Sequence, residues 1–135
     1  MIKSPSHILV IKSNQSEIEK VESFLKEIFD QYEFAPDCFN KALLCVSEAV
    51  VNSIIHGNKK VAHKEIEVQV NCEKKCMTVT VTDEGDGFDI SNVPDPTKSE
   101  NILKESGRGI HIIRTLSHCL NFNEKGNSLQ FQINC

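Results

Sequence analysis

The stretch Asp83-Glu84-Gly85-Asp86-Gly87-Phe88 ends a predicted strand and carries two glycines within one short turn. A second glycine-rich stretch, Ser106-Gly107-Arg108-Gly109-Ile110, opens a predicted helix. Upstream of both, the stretch Ser47-Glu48-Ala49-Val50-Val51-Asn52 places an acid and an amide four residues apart, and therefore on one helix face. Glycine lets a ligand approach the backbone closely, and a helix that opens with glycine presents free amides to phosphate. Together the three stretches suggest a nucleotide site.

The size and composition of the chain predict one globular domain. The chain has 135 residues, of which 39% are hydrophobic and 25% are charged. A net charge of −4 and the lack of a long basic stripe argue against a nucleic-acid surface. The N-terminus lacks the apolar region of a signal peptide, and no apolar run approaches the roughly 20 residues that span a bilayer. We therefore expect a cytoplasmic protein that contacts no membrane.

The six cysteines do not follow a metal-binding pattern. They are Cys38, Cys45, Cys72, Cys76, Cys119 and Cys135. The one close pair, Cys72 and Cys76, flanks a predicted hairpin turn, and no histidine stands at zinc-finger spacing. In a reducing compartment we expect all six to be buried or half-buried free thiols.

Hydrophobic periodicity predicts five strands and three helices. The strands lie near residues 7–12, 65–71, 77–83, 119–123 and 128–134. The helices span about residues 17–30, 36–56 and 107–116. Tight turns join the second strand to the third, and the fourth to the fifth, as antiparallel hairpins. Residues 84–106 contain two prolines and many polar residues, and we interpret this long connection as a lid.

The second predicted helix carries apolar rows over most of its surface, so a polar stripe on it requires an explanation. The stripe consists of Lys41, Cys45, Glu48, Asn52 and His56. A glutamate and an asparagine one turn apart form a solvated helix face more often than a site, and a histidine at position 56 caps a helix end more often than it acts in catalysis. A Ser-His-Asp or Cys-His triad also stays open, although nothing resembles a nucleophile elbow.

The stretch that begins at Asp83 has three interpretations. It could be a plain β-turn helped by two glycines. A calcium loop is excluded, because Gly85 stands where an EF-hand needs its second acid and Pro94 stands at the bidentate glutamate position. In a nucleotide site, Asp83 would hydrogen-bond a base edge while Gly85 and Gly87 let the ring lie against the backbone.

The stretch around Gly107 and Gly109 fits neither common phosphate-binding fingerprint. Ile112 occupies the third glycine position of a dinucleotide-binding motif, and no P-loop sequence exists in the chain. Two interpretations stay open. The stretch is either a plain helix start capped by Ser106, or an anion site in which helix-end amides and the Arg108 guanidinium attract phosphate.

Read in order, Glu48-xxx-Asn52, Asp83-x-Gly85-x-Gly87 and Gly107-x-Gly109 resemble the N, G1 and G2 boxes of the GHKL ATPases. The resemblance runs from about residue 36 to the end of the chain. Within that superfamily the chain is similar to the small anti-sigma-factor serine/threonine kinases. Like them, it is one domain without the dimerisation helices and phosphoacceptor histidine of a histidine kinase.

This resemblance implies a Bergerat fold, an α/β two-layer sandwich in which three helices cover one face of a mixed, mostly antiparallel sheet. The cofactors would be ATP, held between the second helix, the lid at 84–106 and the last helix, and Mg²⁺. Asn52 would coordinate Mg²⁺, and Glu48 would act as general base on the serine hydroxyl of a partner.

The resemblance also assigns the two glycine-rich stretches. Asp83 would accept a hydrogen bond from the adenine amino group, next to Gly85 and Gly87. The amides of residues 107–109, which are Gly107, Arg108 and Gly109, would hold the phosphates. Asn127 or Ser128 on the last hairpin would supply a further adenine contact.

The function implied is that of a protein serine/threonine kinase that restrains a sigma factor and phosphorylates a serine on a STAS-type anti-anti-sigma antagonist. A homodimer is implied as well. Two alternatives stay open: a nucleotide-gated anti-sigma switch with little kinase activity, and a detached histidine-kinase catalytic domain.

Overall fold

A computed structural model describes residues 6–57, 63–85, 105–123 and 127–135 of the chain. The described strands are β1 (Ser6–Lys12), β2 (Glu65–Glu73), β3 (Cys76–Asp83), β4 (His118–Phe122) and β5 (Ser128–Asn134). The described α-helices are α1 (Ile18–Tyr32), α2 (Pro36–Asn52) and α3 (Glu105–Leu116). All eight predicted elements are therefore present. Most of their ends lie within two residues of the predicted positions.

The strands form one sheet in the order β1-β2-β3-β5-β4. Every described pairing is antiparallel, so the expected mixed sheet is antiparallel throughout the part of the chain that the structure describes. Both predicted hairpins are confirmed, with β2 paired to β3 and β4 paired to β5. Alternate residues of β2, β3 and β5 are buried, so helices cover one face of the sheet and the other face is open.

The helices pack their apolar sides on the covered face of the sheet. The Asn14 side chain accepts a hydrogen bond from the backbone N–H of Ser16 just before α1, and Glu33 ends α1 in a left-handed conformation with φ of 53°. Pro36 starts α2, where its fixed φ suits the first turn. The largest fully buried core side chains include Leu25, Ile28, Val46, Val50, Ile66, Met77, Ile113, Phe131 and Ile133.

One helix in the described part of the chain, residues 36–55, is long and apolar enough to cross a membrane by length and composition. Half of it is buried inside the protein, and α2 packs against α1, α3, β3 and β5. Polar Lys41, Ser47 and Glu48 interrupt it, so it contains no unbroken apolar run of that length. We therefore assign it to the core.

The cysteines differ from expectation. Cys38, in the first turn of α2, is disulfide-bonded to Cys135, which follows β5. Cys45 and Cys72 are buried free thiols and Cys76 is a half-buried one, as expected, but Cys119 is exposed. The expectation that all six are free was wrong. Cys38 and Cys135 are far apart in sequence, and they meet only because β5, the last strand, pairs with β3.

Two helix ends also differ from the sequence-based interpretation. α2 does not stay α-helical to His56 but changes after Asn52 into a π-helical turn, Ser53–Gly57. α3 begins at Glu105, so Ser106 lies inside the first turn and is not its N-cap. Gly107 and Gly109 are therefore helical residues of that turn and the next.

Candidate functional site

The polar stripe of α2 is the base of the candidate site. Asn52 is the last residue of α2 and keeps 9% of its surface exposed, whereas Glu48, one turn earlier, is half-buried. Within the described residues, the Asn52 side chain has no hydrogen-bond partner. The π-helical turn that follows Asn52 packs against β3. Local π-helical geometry occurs often at functional sites, and here it directs the end of α2 towards the strand that carries Asp83.

Glu48 lies directly against α3. A Cβ atom placed on Gly109 would be 3.0 Å from the Glu48 Oε2 atom and 4.0 Å from its Cδ atom. Such a distance is closer than ordinary van der Waals contact, so a side chain at position 109 would push the carboxylate away. Gly109 is buried. The structure therefore brings the predicted base and one predicted phosphate-binding residue into contact, although they lie on different helices.

Asp83 ends β3 with its side chain on the covered face of the sheet. It is only 7% exposed, and its Oδ1 atom accepts a hydrogen bond from the backbone N–H of Gly85 at 2.8 Å. This short bond closes a turn of the kind that aspartate forms with its own backbone. The neighbouring Glu84 carboxylate accepts a hydrogen bond from the backbone N–H of Glu65, at the start of β2. Asp83 is thus held in place by its own turn.

The start of β5 fixes the backbone of Asp83 from the other side. The Asp83 N–H donates to the Asn127 carbonyl at 2.9 Å, and the Asn127 side-chain amide donates to the Asp83 carbonyl at 3.1 Å. The Ser128 and Thr82 hydroxyls lie 2.9 Å apart. Because Thr82 and Asp83 are consecutive strand residues, their side chains point to opposite faces. Ser128 therefore lies on the open face, away from the Asp83 carboxylate, and an adenine contact from its hydroxyl does not fit this geometry.

Burial keeps Cys45, the cysteine next to Glu48 on the polar stripe, unreactive. Cys45 is fully buried one turn before Glu48. Burial raises the pKa of the Cys45 thiol to about 11, with the Glu48 carboxylate raising it further and the Lys41 ammonium opposing the shift. A thiol of that pKa is neutral at pH 7 and is not a nucleophile. The Cys-His interpretation of this stripe is therefore disfavoured.

Several predicted residues lie partly or wholly outside the described residues. Gly87 and residues 86–104, which make up most of the predicted lid, are outside them. The backbone of Gly107 and Arg108 belongs to the first turn of α3, but their side-chain surroundings, like those of His56, are not described. No cluster of three or more His, Cys, Asp and Glu side chains that could hold a metal occurs among the described residues.

Sequence patterns missed two features of this site. The contact between Glu48 and Gly109 joins two predicted motifs, yet nothing in a single sequence indicates which helices touch. The two hydrogen bonds between Asn127 and the Asp83 backbone were not predicted, because Asn127 has the sequence context of an ordinary hairpin-turn residue. The only available signal was that Asn127 immediately precedes a strand that had to pair somewhere.

Comparison with known proteins gives a consistent result. Residues 11–133 match the family described as "Histidine kinase-like ATPase domain". The chain is similar to an anti-sigma F factor of Clostridium beijerinckii, at 35% identity over 102 residues that make up 72% of this chain and 70% of the relative. It is also similar to the serine-protein kinase RsbW of Bacillus subtilis, at 29% identity over 79 residues, 54% of this chain and 49% of the relative.

A solved structure has the same fold. The crystal structure of the RsbU and RsbW domains of a Mycobacterium tuberculosis protein superimposes with a TM-score of 0.65 at 14% identity. The match covers 96% of this chain and 32% of that one, so the chain spans about a third of the length of its structural relative. At this identity, the likeness shows the fold alone.

Proposed function

The chain belongs to the anti-sigma-factor serine/threonine kinase family of the histidine kinase-like ATPases, and we propose that it is an active member of that family. It transfers a phosphoryl group from ATP to a serine on a STAS-type anti-anti-sigma antagonist, and it restrains a sigma factor. The observation that carries this proposal is the contact between Glu48 on α2 and Gly109 on α3. It supports a single site that combines a carboxylate base with the glycine-rich turn.

The base of the nucleotide would be recognised at the end of β3. The Asp83 carboxylate is nearly buried and accepts a hydrogen bond from the Gly85 N–H, while the Asn127 side chain donates to the Asp83 backbone carbonyl. A buried, oriented acceptor discriminates well, because a ligand without a matching donor would displace water from it and return no hydrogen bond. We assign Asp83 to the adenine amino group, with the backbone at Gly85 and Gly87 against the ring.

The phosphates would be held at the first turns of α3. Amides at a helix N-terminus, together with the macrodipole, favour negative charge. Of the predicted stretch 107–109, the Gly107 N–H lies among the amides at the start of α3 that have no acceptor within the helix, and Arg108 adds a fixed positive charge. The lid predicted at 84–106 stays a prediction, because residues 86–104 lie outside the described residues and residues 105–106 belong to α3. We infer that nucleotide state selects between sigma factor and antagonist.

Asn52 fits a role at Mg²⁺. In phosphoryl-transfer sites Mg²⁺ takes one or two protein oxygens and fills its remaining positions with phosphate and water. The Asn52 amide, slightly exposed and without a protein partner among the described residues, suits such a site. The ion, when bound, would neutralise charge on the phosphates.

Glu48 would serve as the general base. Phosphoryl transfer depends mainly on positioning and charge neutralisation, so the one proton to be removed is that of the attacking serine hydroxyl. The Glu48 carboxylate would accept this proton at an Oε atom. The contact with Gly109 supports this role, because it lies one turn from the start of α3, where the phosphates would be held.

Replacement of Glu48 by Gln tests this function. We expect Glu48→Gln to lower transfer of labelled phosphate to the antagonist by at least about 100-fold, because a general base contributes that much or more. ATP affinity should stay within a few-fold of the parent. The measurement is single-turnover transfer from labelled ATP to a purified antagonist, with the exposed acid Glu19→Gln on α1 as the matched control.

The outcomes separate the alternatives. Equal transfer rates in Glu48→Gln and the parent would remove Glu48 from the mechanism. A tight complex with the antagonist but no label transfer by the parent would favour a nucleotide-gated switch. A label that is lost in acid would indicate a phosphohistidine acceptor, whereas an acid-stable label indicates serine or threonine.

A further inference from the structure

The disulfide between Cys38 and Cys135 links two elements that are far apart in sequence. The two residues are separated by 97 positions, and their Cα atoms lie 5.6 Å apart. Cys38 belongs to the first turn of α2, and Cys135 follows β5 directly. The bond therefore fastens the helix layer to the central part of the sheet.

The bond lies at the end of the sandwich opposite the candidate ATP site. Glu48 and Asn52 occupy the last turns of α2, whereas Cys38 occupies its first turn. In the same way, β5 begins beside Asp83 and ends beside Cys135. A change at this bond would thus act on the stability of the fold without touching the site residues.

Backbone contacts of the fold position both cysteines of the disulfide. The Cys135 N–H donates to the Lys75 carbonyl, which extends the ladder between β3 and β5 by one residue. Cys38 is only 7% exposed and its Sγ atom lies 3.6 Å from the Asn134 carbonyl oxygen. Both cysteines are held in place by backbone contacts that do not depend on the bond.

Small thiols can reach the Cys135 side of the disulfide. Cys135 lines an open surface cavity of about 580 Å³ together with Lys74, Lys75 and Cys76. Disulfide exchange requires that an attacking thiolate reach one of the two sulfur atoms. Cys135 is half-buried, so the cavity offers access to its side of the bond.

We propose that Cys38 and Cys135 form a reversible redox tether that sets the stability of the fold. Oxidation by a low-molecular-weight disulfide proceeds through a mixed disulfide. One cysteine thiolate attacks the oxidant and releases one thiol, and the second cysteine then attacks the mixed disulfide and releases the other. Two protein thiols and one disulfide thus give the Cys38–Cys135 bond and two small thiols. A dithiol reverses the reaction and becomes the oxidised partner.

The other two buried thiols are poor competitors. Burial raises the pKa of Cys45 and of Cys72 to about 11, so both stay protonated at neutral pH and do not attack disulfides. Cys119 is exposed but lies on β4, at the edge of the sheet. The half-buried Cys76 and the exposed Cys119 stay open to mixed disulfides with a small thiol, so the test has to identify which two cysteines are linked to each other.

Thiol counting and thermal unfolding test the tether. After incubation with oxidised glutathione, denaturation and alkylation, mass spectrometry of a digest should find the Cys38 peptide linked to the Cys135 peptide. After dithiothreitol, all six thiols should be alkylated. Because the bond closes a long loop in the unfolded chain, dithiothreitol should lower the melting temperature of the oxidised protein by at least about 5 °C. Cys135→Ser should melt like the reduced parent and should not respond to dithiothreitol.

Cys119→Ser is the matched control and should keep the full response. Six alkylatable thiols after oxidised glutathione would overturn the proposal, as would an equal response of Cys135→Ser and the parent to dithiothreitol. Thiol counting is done on denatured protein, so it tests the proposal even if the serine variant folds poorly. Neither measurement involves ATP, and the result is independent of the proposed kinase function.

Discussion

The lack of a side chain at Gly109 leaves space for the Glu48 carboxylate. The Glu48 Oε2 atom would be 3.0 Å from a Cβ at position 109, a contact that a flexible carboxylate can relieve only by moving. Glycine inside a helix otherwise costs about 1 kcal/mol relative to alanine. Its presence here is therefore explained by the position of Glu48 and not by helix stability.

A double-mutant cycle measures this coupling. In the parent, Gly109→Ala gains helix propensity but displaces the carboxylate. In a Glu48→Ala background only the gain remains. We expect the change in the free energy of unfolding on Gly109→Ala to be more favourable in the Glu48→Ala background, by at least about 0.5 kcal/mol. Urea unfolding of the four proteins gives this value.

The exposed His111 on the same helix provides the control, because His111→Ala should combine additively with Glu48→Ala. Additive effects of Gly109→Ala and Glu48→Ala would contradict the contact.

At the scale of elements, the junction of β3 and β5 holds the candidate base-binding residue. Asn127 makes two hydrogen bonds to the Asp83 backbone, and it exchanges two more with the Asn123 side chain at 2.8 and 3.0 Å. Asn127→Ala keeps the bonds that the residue's backbone makes to the Asp83 N–H and to the Asn123 Oδ1 atom. It removes the two bonds of the side chain, to the Asp83 carbonyl and to the Asn123 Nδ2 atom. We expect it to lower the free energy of unfolding by about 1–2 kcal/mol and to weaken ATP binding as well.

Urea unfolding and ATP titration of Asn127→Ala check this expectation. Asn121→Ala on β4 is the control, because its side chain donates a local hydrogen bond to the Cys119 carbonyl. If Asn127→Ala loses no more stability than the control and binds ATP normally, the hydrogen bond from the Asn127 side chain to the Asp83 carbonyl does not support the site.

Local patterns predicted the elements well, and their long-range arrangement poorly. Alternation in β2 and β3 and the turn between them determine that hairpin, because both lie within a short piece of chain. The insertion of β5 between β3 and β4, and with it the bond of Cys38 to Cys135, depends on pairing between distant segments. The start of α3 was misplaced because Ser106 suits a helix cap but is overridden by the helix that begins before it.

The site was predictable only in parts for the same reason. Glu48, Asn52 and Asp83 could be selected from their spacing and from the resemblance to known boxes. The packing of the elements that carry them could not, since α2 meets α3 and the π-helical turn meets β3 only in the folded chain. The sequence left Asn127 and Ser128 as alternative adenine contacts, because the strand register that turns the Ser128 hydroxyl to the open face results from pairing between distant strands.

At the scale of the whole molecule, the proposed function requires that the sandwich be a nucleotide-binding unit. A ligand that binds only the folded state must stabilise it, by about 2.7 kcal/mol at 100 times its dissociation constant. Asp83→Asn keeps the oxygen that accepts from the Gly85 N–H but replaces the second acceptor by a donor. It should fold normally and lose most of this stabilisation, whereas the exposed Glu67→Gln on β2 should keep it.

The most direct test is thermal unfolding of the purified chain in the presence of Mg-ATP. We predict that saturating Mg-ATP raises the melting temperature of the parent by roughly 10 °C and that of Asp83→Asn by much less. An unchanged melting temperature at millimolar Mg-ATP, or an equal rise in Asp83→Asn, would contradict the ATP site formed by α2, β3 and α3.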